Sequence, residues 1–356
     1  MGLRIIKPDT SIDFMGKRFW AMILSLAVLL IGIGSLIVQG GLNYGIDFAG
    51  GINIQVKFDT GTKVTSIKKA LDQAQLPDIR VQRFGLDQSN EYLLRISAED
   101  AQPEVMRAKV QEALDQGMQT NFTIQRLEMV GPKVGADLKN KALQALFYAV
   151  LFISIYISGR FEQKWMVAGV MAAGLLTGLY GLGLLDVPLA YLILAALVIT
   201  LGLCWYLKLN YALGAVVALI HDVLITVGIF ALLGKEFDLT TVAALLTIIG
   251  YSLNDTIIIY DRIRENLRAK KSVSLLRTIN RSVNQTLSRT LLTSGTTILV
   301  VLCLLILGGG VIHDFAFALL IGVIVGTYSS IFVAGSLLLG IGPTPEKVAE
   351  ESVQPA

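Results

Sequence analysis

Two scarcities limit what this chain can be, since it has little charge and only two cysteines. Charged residues make up 16% of its 356 residues, whereas hydrophobic residues make up 54%. A soluble domain of this length could not bury so much apolar surface, so the composition indicates a protein that crosses a membrane several times. Cys204 and Cys303 each lie inside an apolar segment, where we expect small packing residues rather than a disulfide.

Motifs of several enzyme and metalloprotein classes are also missing. Neither His221-Asp222 nor His313-Asp314 has the spacing of a zinc site. The glycine-rich segment 45–51 is not followed by the Gly-Lys-Ser/Thr of a phosphate-binding loop, so we expect a tight entry into a strand. We predict no metal site and no cofactor, and we expect no nucleic-acid partner.

Eight apolar segments are long enough to span a bilayer. They are residues 21–38, 142–158, 166–185, 189–207, 211–233, 240–260, 289–307 and 315–339. The first is not followed by an Ala-x-Ala site, which predicts an uncleaved anchor. Eight Lys or Arg side chains lie between 262 and 289, so the positive-inside rule places this stretch and both termini, 1–20 and 340–356, in the cytoplasm. The predicted fold class is a polytopic α-helical membrane protein with a transmembrane bundle over 142–339.

Two polar stretches interrupt this pattern. Residues 40–141 read as β-α-β-β-α-β, which predicts one α+β ferredoxin-like domain on the periplasmic side, between the first two spans. Residues 261–290 are basic, and Leu276, Ile279, Val283 and Leu287 recur at helical spacing. This amphipathic cytoplasmic segment is either a helix on the membrane surface or an ordinary basic loop.

Asp255 is the most informative residue, because it lies in an otherwise apolar run. A carboxylate in a membrane helix costs about 2.5–3.5 kcal/mol on insertion scales, so it must face protein or water and usually marks an ion or proton pathway. Arg289 opens the next span at a similar depth, and the two charges form either a proton site or a static ion pair. Four hydroxyl residues follow that could order water along the route: Thr293, Ser294, Thr296 and Thr297.

A second acid, Asp222, lies beside His221 near the predicted bilayer midplane. It is either a second protonatable station or a polar group that hydrogen-bonds neighbouring helices and fixes their packing. The residue counts place Asp222 and Asp255 at different depths, which argues against a shared-proton pair.

Four sequence blocks resemble the SecF family, whose members are subunits of the bacterial SecDF secretion factor. The blocks are Ile-Asp-Phe-Met-Gly-Lys-Arg at 12–18, Gly-Ile-Asp-Phe-Ala-Gly-Gly at 45–51, Ala-Leu-Ile-His-Asp-Val at 218–223 with 250–266, and Arg-Thr-Leu-Leu-Thr-Ser-Gly-Thr-Thr at 289–297. The resemblance implies a non-enzymatic subunit of the bacterial inner membrane that pairs with SecD and uses the proton gradient to draw unfolded polypeptide across. It implies the SecYEG translocon, YajC and membrane lipids as further partners, and it places the family's proton-path carboxylate at Asp255 and its arginine at Arg289.

The chain departs from this family in about 47 extra residues, 161–207, which predict two inserted helices in addition to six family-like spans. The segment 195–202 resembles 243–250, so a partial duplication is possible, but the copy has no counterpart of Asp255. Two other functions are weighed against export. One is a small-molecule or lipid efflux subunit of the resistance-nodulation-division type. The other is an intramembrane aspartyl protease, whose Gly-x-Gly-Asp signature is absent here.

Overall fold

The computed structural model describes residues 11–73, 79–84, 90–96, 102–162, 165–183, 189–269 and 274–341. Residues 1–10 of the predicted N-terminal segment and 342–356 of the predicted tail lie outside the described residues, as does most of the turn expected between the second and third strands. All structural statements below concern the described ranges.

Six helices are long and apolar enough to cross a membrane. They are α1 (Arg18–Val38), α5 (Pro132–Glu162), α8 (Asn210–Leu232), α9 (Leu239–Ala269), α10 (Leu275–Leu307) and α11 (Gly309–Ile341). At 1.5 Å per residue the 31 residues of α9 extend about 46 Å, well beyond an apolar layer of about 30 Å. The charged last turns of this helix therefore project from the apolar zone. The chain is a multi-pass membrane protein.

The predicted insertion forms two further helices, α6 (Trp165–Gly183) and α7 (Leu189–Tyr206). They pack on each other and on α5, and α7 also contacts α8, so the pair lies at one side of the bundle. A Cβ at Gly159 would lie 2.4 Å from the Trp165 ring, so glycine is what lets α5 and α6 approach. Only shorter apolar stretches of these two helices are found, and the count of eight spans therefore stays a prediction.

A small antiparallel sheet lies between α1 and α5. Its elements are α2 (Ile46–Ala49), β1 (Gly51–Phe58), α3 (Val64–Gln73), β2 (Ile79–Phe84), β3 (Glu91–Ile96), α4 (Pro103–Gly117) and β4 (Phe122–Val130), and the strands are ordered β2-β3-β1-β4. Alternate residues of β1, from Ile52 to Phe58, are buried on the face that α3 and α4 cover. We call residues 46–130 the sheet domain. It ends before the predicted boundary at 141, because α5 already begins at Pro132.

The segment 261–290 does not form a separate surface helix, so that hypothesis is wrong. Its first part continues α9 to Ala269, and its second part is the beginning of α10 at Leu275. Ile279, Val283 and Leu287 are buried in the bundle core rather than facing lipid. The apolar spacing was recognised correctly, but the same spacing serves packing between helices.

Two asparagines on this part of α10 hold the polypeptide that precedes α1. Asn284 Nδ2 donates to the Ile12 carbonyl at 2.8 Å, and Ile12 N donates back to Asn284 Oδ1 at 2.9 Å. Asn280 Oδ1 accepts from Phe14 N at 2.9 Å while its Nδ2 donates to Asp13 at 2.7 Å. These bonds satisfy backbone groups outside any helix and thereby fix where α1 begins.

Candidate functional site: two buried carboxylates

Asp255 lies on α9 where α10 and α11 meet it, and its side chain is only 1% exposed. Ser294 of α10 donates to Asp255 Oδ2 over a long distance of 3.4 Å. The Ser294 hydroxyl also bonds Thr327 of α11 at 2.7 Å. Among the described residues, the carboxylate therefore has one weak hydrogen-bond partner, Ser294, which is shared with a third helix.

Arg289 does not pair with Asp255. Its side chain is exposed, and within the described ranges no ion pair joins it to that acid. The reason is angular, since Arg289 and Ser294 are five residues apart and so point about 140° apart around α10. Ser294 faces Asp255, whereas the Arg289 side chain leaves α10 in another direction and acts on Asp255 as a nearby charge without an ion-pair contact. A static ion pair is not what holds α9 and α10 together in this conformation.

Only one of the four predicted hydroxyls reaches the carboxylate. Thr293, Thr296 and Thr297 donate to carbonyls of their own helix, three or four residues earlier, at 2.9–3.1 Å. Thr290, which the sequence did not single out, lies one turn before Ser294 on nearly the same face, and its buried hydroxyl has no hydrogen-bond partner in the described part of the chain. It is better placed than the three other threonines to bind a water molecule near Asp255.

Asp222 on α8 is fully buried and has three short hydrogen bonds. Ser252 of α9 donates to its Oδ2 at 2.6 Å and Ser329 of α11 does so at 2.8 Å. Its Oδ1 lies 2.9 Å from Nδ1 of the neighbouring His221. The acid thus joins three helices through side chains, which extends the packing interpretation made from sequence.

This polar network continues to α1. His221 Nε2 lies 3.0 Å from Ser25 Oγ, and that hydroxyl lies 3.0 Å from the Tyr328 hydroxyl of α11. Tyr328 in turn donates to the carbonyl of Ala21 at 2.5 Å. A continuous chain of hydrogen bonds therefore connects α1, α8, α9 and α11 through one buried acid.

The two acids are closer in depth than residue counting suggested. Ser252, which binds Asp222, lies only three residues before Asp255, or about 4.5 Å along α9. Gly326 of α11 allows this arrangement, because a Cβ there would lie 2.9 Å from the Cβ of Ser252. Ser252 could have been noticed in Ser-Leu-Asn-Asp, whereas Ser25 and Ser329 carry no signal in sequence, since serine is common in membrane helices.

The glycine-rich segment 45–51 adopts the tight entry that was expected. Gly50 and Gly51 have φ of +73° and +121°, and a Cβ on Gly51 would lie 2.8 Å from the carbonyl oxygen of Ile96. Asp47 in this segment accepts a hydrogen bond from Leu239 N at 3.1 Å. The segment therefore starts β1 and also reaches the first residue of α9.

Comparison with known proteins agrees with the sequence blocks. Residues 109–177 and 183–343 match the family described as protein export membrane protein SecD/SecF, C-terminal, and residues 35–62 match the SecD/SecF GG motif. A protein translocase subunit SecF of Magnetococcus marinus is 41% identical, covering 99% of each chain. The SecF of Calditerrivibrio nitroreducens is 38% identical over 94% of this chain and 96% of the relative. The chain belongs to the SecF family.

Two solved SecDF structures resemble it. The crystal structure of SecDF from Thermus thermophilus, described as a translocon-associated membrane protein, superposes with a TM-score of 0.69 at 30% identity and covers 93% of this chain. SecDF in a super-membrane-facing form gives 0.56 at 29% identity over 95% of this chain. In both cases this SecF-family chain spans 39% of the other protein's length.

Proposed function

We propose that this chain acts with a SecD partner and uses the proton motive force to promote translocation of secreted proteins across the cytoplasmic membrane. The SecF-family identity extends over nearly the whole chain, and the solved relatives are SecDF proteins roughly two and a half times its length. Nothing found supports an efflux pump or an aspartyl protease. The family is one of transport subunits rather than enzymes.

The proton step belongs at Asp255 rather than at Asp222. The observation that supports this is the difference in hydrogen-bond partners within the described ranges. Asp255 has one hydrogen bond of 3.4 Å, whereas Asp222 accepts two of 2.6 and 2.8 Å and pairs with His221. A carboxylate that has to give up little hydrogen bonding can gain or lose a proton with little rearrangement around it. In this proposal Asp222 is the anchor of the bundle and Asp255 exchanges the proton.

Arg289 and the hydroxyl groups then act around Asp255 at different stages. Ser294 and Thr290 line the buried face, where a water molecule could bridge to the carboxylate. The Arg289 charge already acts on Asp255 without direct contact, and a rotation of α10 that brought the two side chains together would also remove Ser294 from the acid. We also propose that Thr293, Thr296 and Thr297 order water along the pathway, although their hydroxyls donate to carbonyls of their own helix in this conformation.

The remaining predictions about the assembly complete this picture. We propose an inner-membrane protein with both termini in the cytoplasm, eight spans including the inserted pair 161–207, and SecYEG, YajC, lipids and translocating polypeptide as partners. The strand order β2-β3-β1-β4 with antiparallel neighbours supports a ferredoxin-like assignment for the periplasmic sheet domain. The proton gradient is the proposed energy source, without a bound cofactor.

Replacing Asp255 by Asn tests the proton step. In bacteria whose only copy of this subunit is the variant, we expect Asp255→Asn to reduce precursor export to the level of cells without the subunit. Asp261→Asn is the matched control, since it is an exposed acid on the same helix that pairs with Arg160 at 3.0 Å. Normal export in the Asp255→Asn strain, with the complex at normal abundance, would contradict the proposal.

A further inference from the structure

The loop between α8 and α9, residues 233–238, is hydrogen-bonded to residues 43–48, which lead into the sheet domain and which we call its base. Gly45 N donates to the Phe237 carbonyl at 3.0 Å, and Phe237 N donates to the Asn43 carbonyl at 2.8 Å. Tyr44 and Phe237 form an isolated parallel bridge, and Phe48 packs on both rings. Main chain that leads into the sheet domain is therefore paired with main chain that leads into α9.

Asp47 strengthens this attachment by capping α9. Its Oδ2 accepts from Leu239 N at 3.1 Å, and Leu239 is the first residue of that helix. Asp238 caps the same helix end by accepting from Thr241 N at 2.8 Å. The first N–H groups of a helix have no partner within the helix and attract negative charge, so this end of α9 is completed by an acid from the base of the sheet domain.

A buried charge pair makes the third connection. Arg95 of β3 and Glu236 of the loop lie 4.0 Å apart with side chains only 9% and 14% exposed. Arg95 also donates to the Tyr44 carbonyl, and Gln82 of β2 lines the same polar cavity as Glu236. Removing Arg95 would leave the Glu236 charge without its compensation, so the loss of this side chain should weaken the connection between the two parts.

Elsewhere the described part of the sheet face approaches the helices at Phe84 of β2, whose ring lies against Gly310 of α11. A polar cavity of about 390 Å³ separates the rest of this face from the ends of α8, α9 and α11, with Asn53, Gln55 and Gln82 on the sheet side. Attachment therefore depends on these rim contacts together with Phe48, which lies in one apolar cluster with Ala142 of α5 and with Val242 and Leu245 of α9. Single residues in those contacts should matter.

We propose that Asp47, Arg95 and Glu236 are positioning residues that fix the sheet domain to the end of α9, so that domain and helix move as one body. Asp255 lies sixteen residues from Leu239 on the same unbroken helix, or about 24 Å away. A displacement of α9 at its buried acid is then transmitted to the sheet domain. This inference rests on the proposed function for its purpose, but the attachment can be tested by itself.

A reversible disulfide tests whether the two parts ever separate. A Cβ built on Gly45 lies 3.1 Å from the Cβ of Asp238, slightly closer than the roughly 3.5–4.5 Å that a disulfide spans. Gly45→Cys with Asp238→Cys, in a background with Cys204→Ala and Cys303→Ala, should therefore crosslink after a small shift. Both single-cysteine variants control for the lost glycine and the lost cap.

We expect the crosslink to form equally in energised and de-energised membranes, and we expect the oxidised complex to export as fast as the reduced complex. If oxidation stops export and a reductant restores it, or if the proton gradient prevents crosslinking, the domain separates from α9 and the proposal is wrong. Crosslinking is read from gel mobility and needs no export. A failure of the proposed function would appear instead as normal export by Asp255→Asn.

Substitution of the contact residues gives a second test. We expect Arg95→Ala and Asp47→Ala to reduce the gradient-dependent part of export and to leave the gradient-independent part unchanged, with Arg95→Lys retaining more than Arg95→Ala. Arg107→Ala, an exposed arginine on α4 of the same domain, is the control. Equal loss of both parts of export would indicate simple misfolding and would count against a positioning role.

Discussion

Asp222 and Asp255 are both carboxylates buried in the same helix bundle, but their surroundings differ sharply. Asp222 is 0% exposed and bound by two serines and a histidine from three helices. Asp255 is 1% exposed and has one long bond, to a serine that a threonine also binds. Burial is therefore almost identical, and only the number and length of the hydrogen bonds separates them.

This difference shows why an acid inside a membrane helix does not identify a proton site by itself. A buried acid whose acceptor sites are filled holds helices together, because its partners would lose hydrogen bonds if the carboxylate were protonated or removed. A buried acid with few partners is free to change its charge. The partners, which come from distant parts of the chain, decide which role an acid has.

Removal of each acid should separate the two roles most clearly. Asp222→Ala leaves Ser252, Ser329 and His221 without their partner, and we expect it to lower the free energy of unfolding by about 3–5 kcal/mol. Within the described ranges, Asp255→Ala removes one long hydrogen bond, from Ser294, and should lower the free energy of unfolding far less. Thermal unfolding of the purified complex in detergent measures both. Equal destabilisation by the two substitutions would contradict the assignment of a structural role to Asp222 and a proton-exchanging role to Asp255.

A third acid, Glu236, which is mostly buried, extends the comparison outside the bundle. Burial raises the pKa of its carboxyl group, with Asp238 and Asp314 adding to the effect and Arg95 and Gln82 opposing it. Because the folded-state pKa is above the unfolded value, its stabilising contribution is complete below the unfolded value and is lost as the pH rises through the folded pKa.

Glu236→Gln removes this titration and keeps an acceptor for Arg95. We expect the variant to gain stability relative to the parent as the pH is raised from about 4 to about 8, by an amount smaller than the Asp222 effect. Unfolding of the two proteins at both pH values measures the change. A stability difference that is independent of pH, or one that favours the parent more at the higher pH, would show that the Arg95 pair outweighs burial.

Much of the fold follows from patterns that are local in sequence. Long apolar runs predicted the six spanning helices, and alternation in β1 predicted the sheet. The errors lie where local patterns are ambiguous, since a helix can continue through polar residues, as α5 and α9 do, without any apolar signal. The spacing of Ile279 and Val283 is equally compatible with lipid and with protein.

The candidate site was only half predictable for a related reason. A carboxylate in an apolar run is visible in the sequence, so both acids were found. Counting residues gives depth along a helix but not direction around it, so it indicated that Arg289 is near Asp255 but not that the two side chains form no ion pair in the described structure. Ser25 and Ser329 reach the Asp222 network only through tertiary packing.

The smallest expected effects concern α10, where direction around the helix distinguishes neighbouring hydroxyls. Ser294→Ala removes the only side-chain bond found to Asp255 in the described residues, and we expect a modest, few-fold reduction of gradient-dependent export. Thr296→Val keeps the size of the side chain but removes a hydroxyl that donates to a carbonyl of its own helix at 2.9 Å, so export should not change. Pulse-chase measurement of precursor processing in both strains gives the comparison. If Thr296→Val slowed export as much as Ser294→Ala, the proton route would run along the exposed face of α10, and the assignment to the buried face would have to be abandoned.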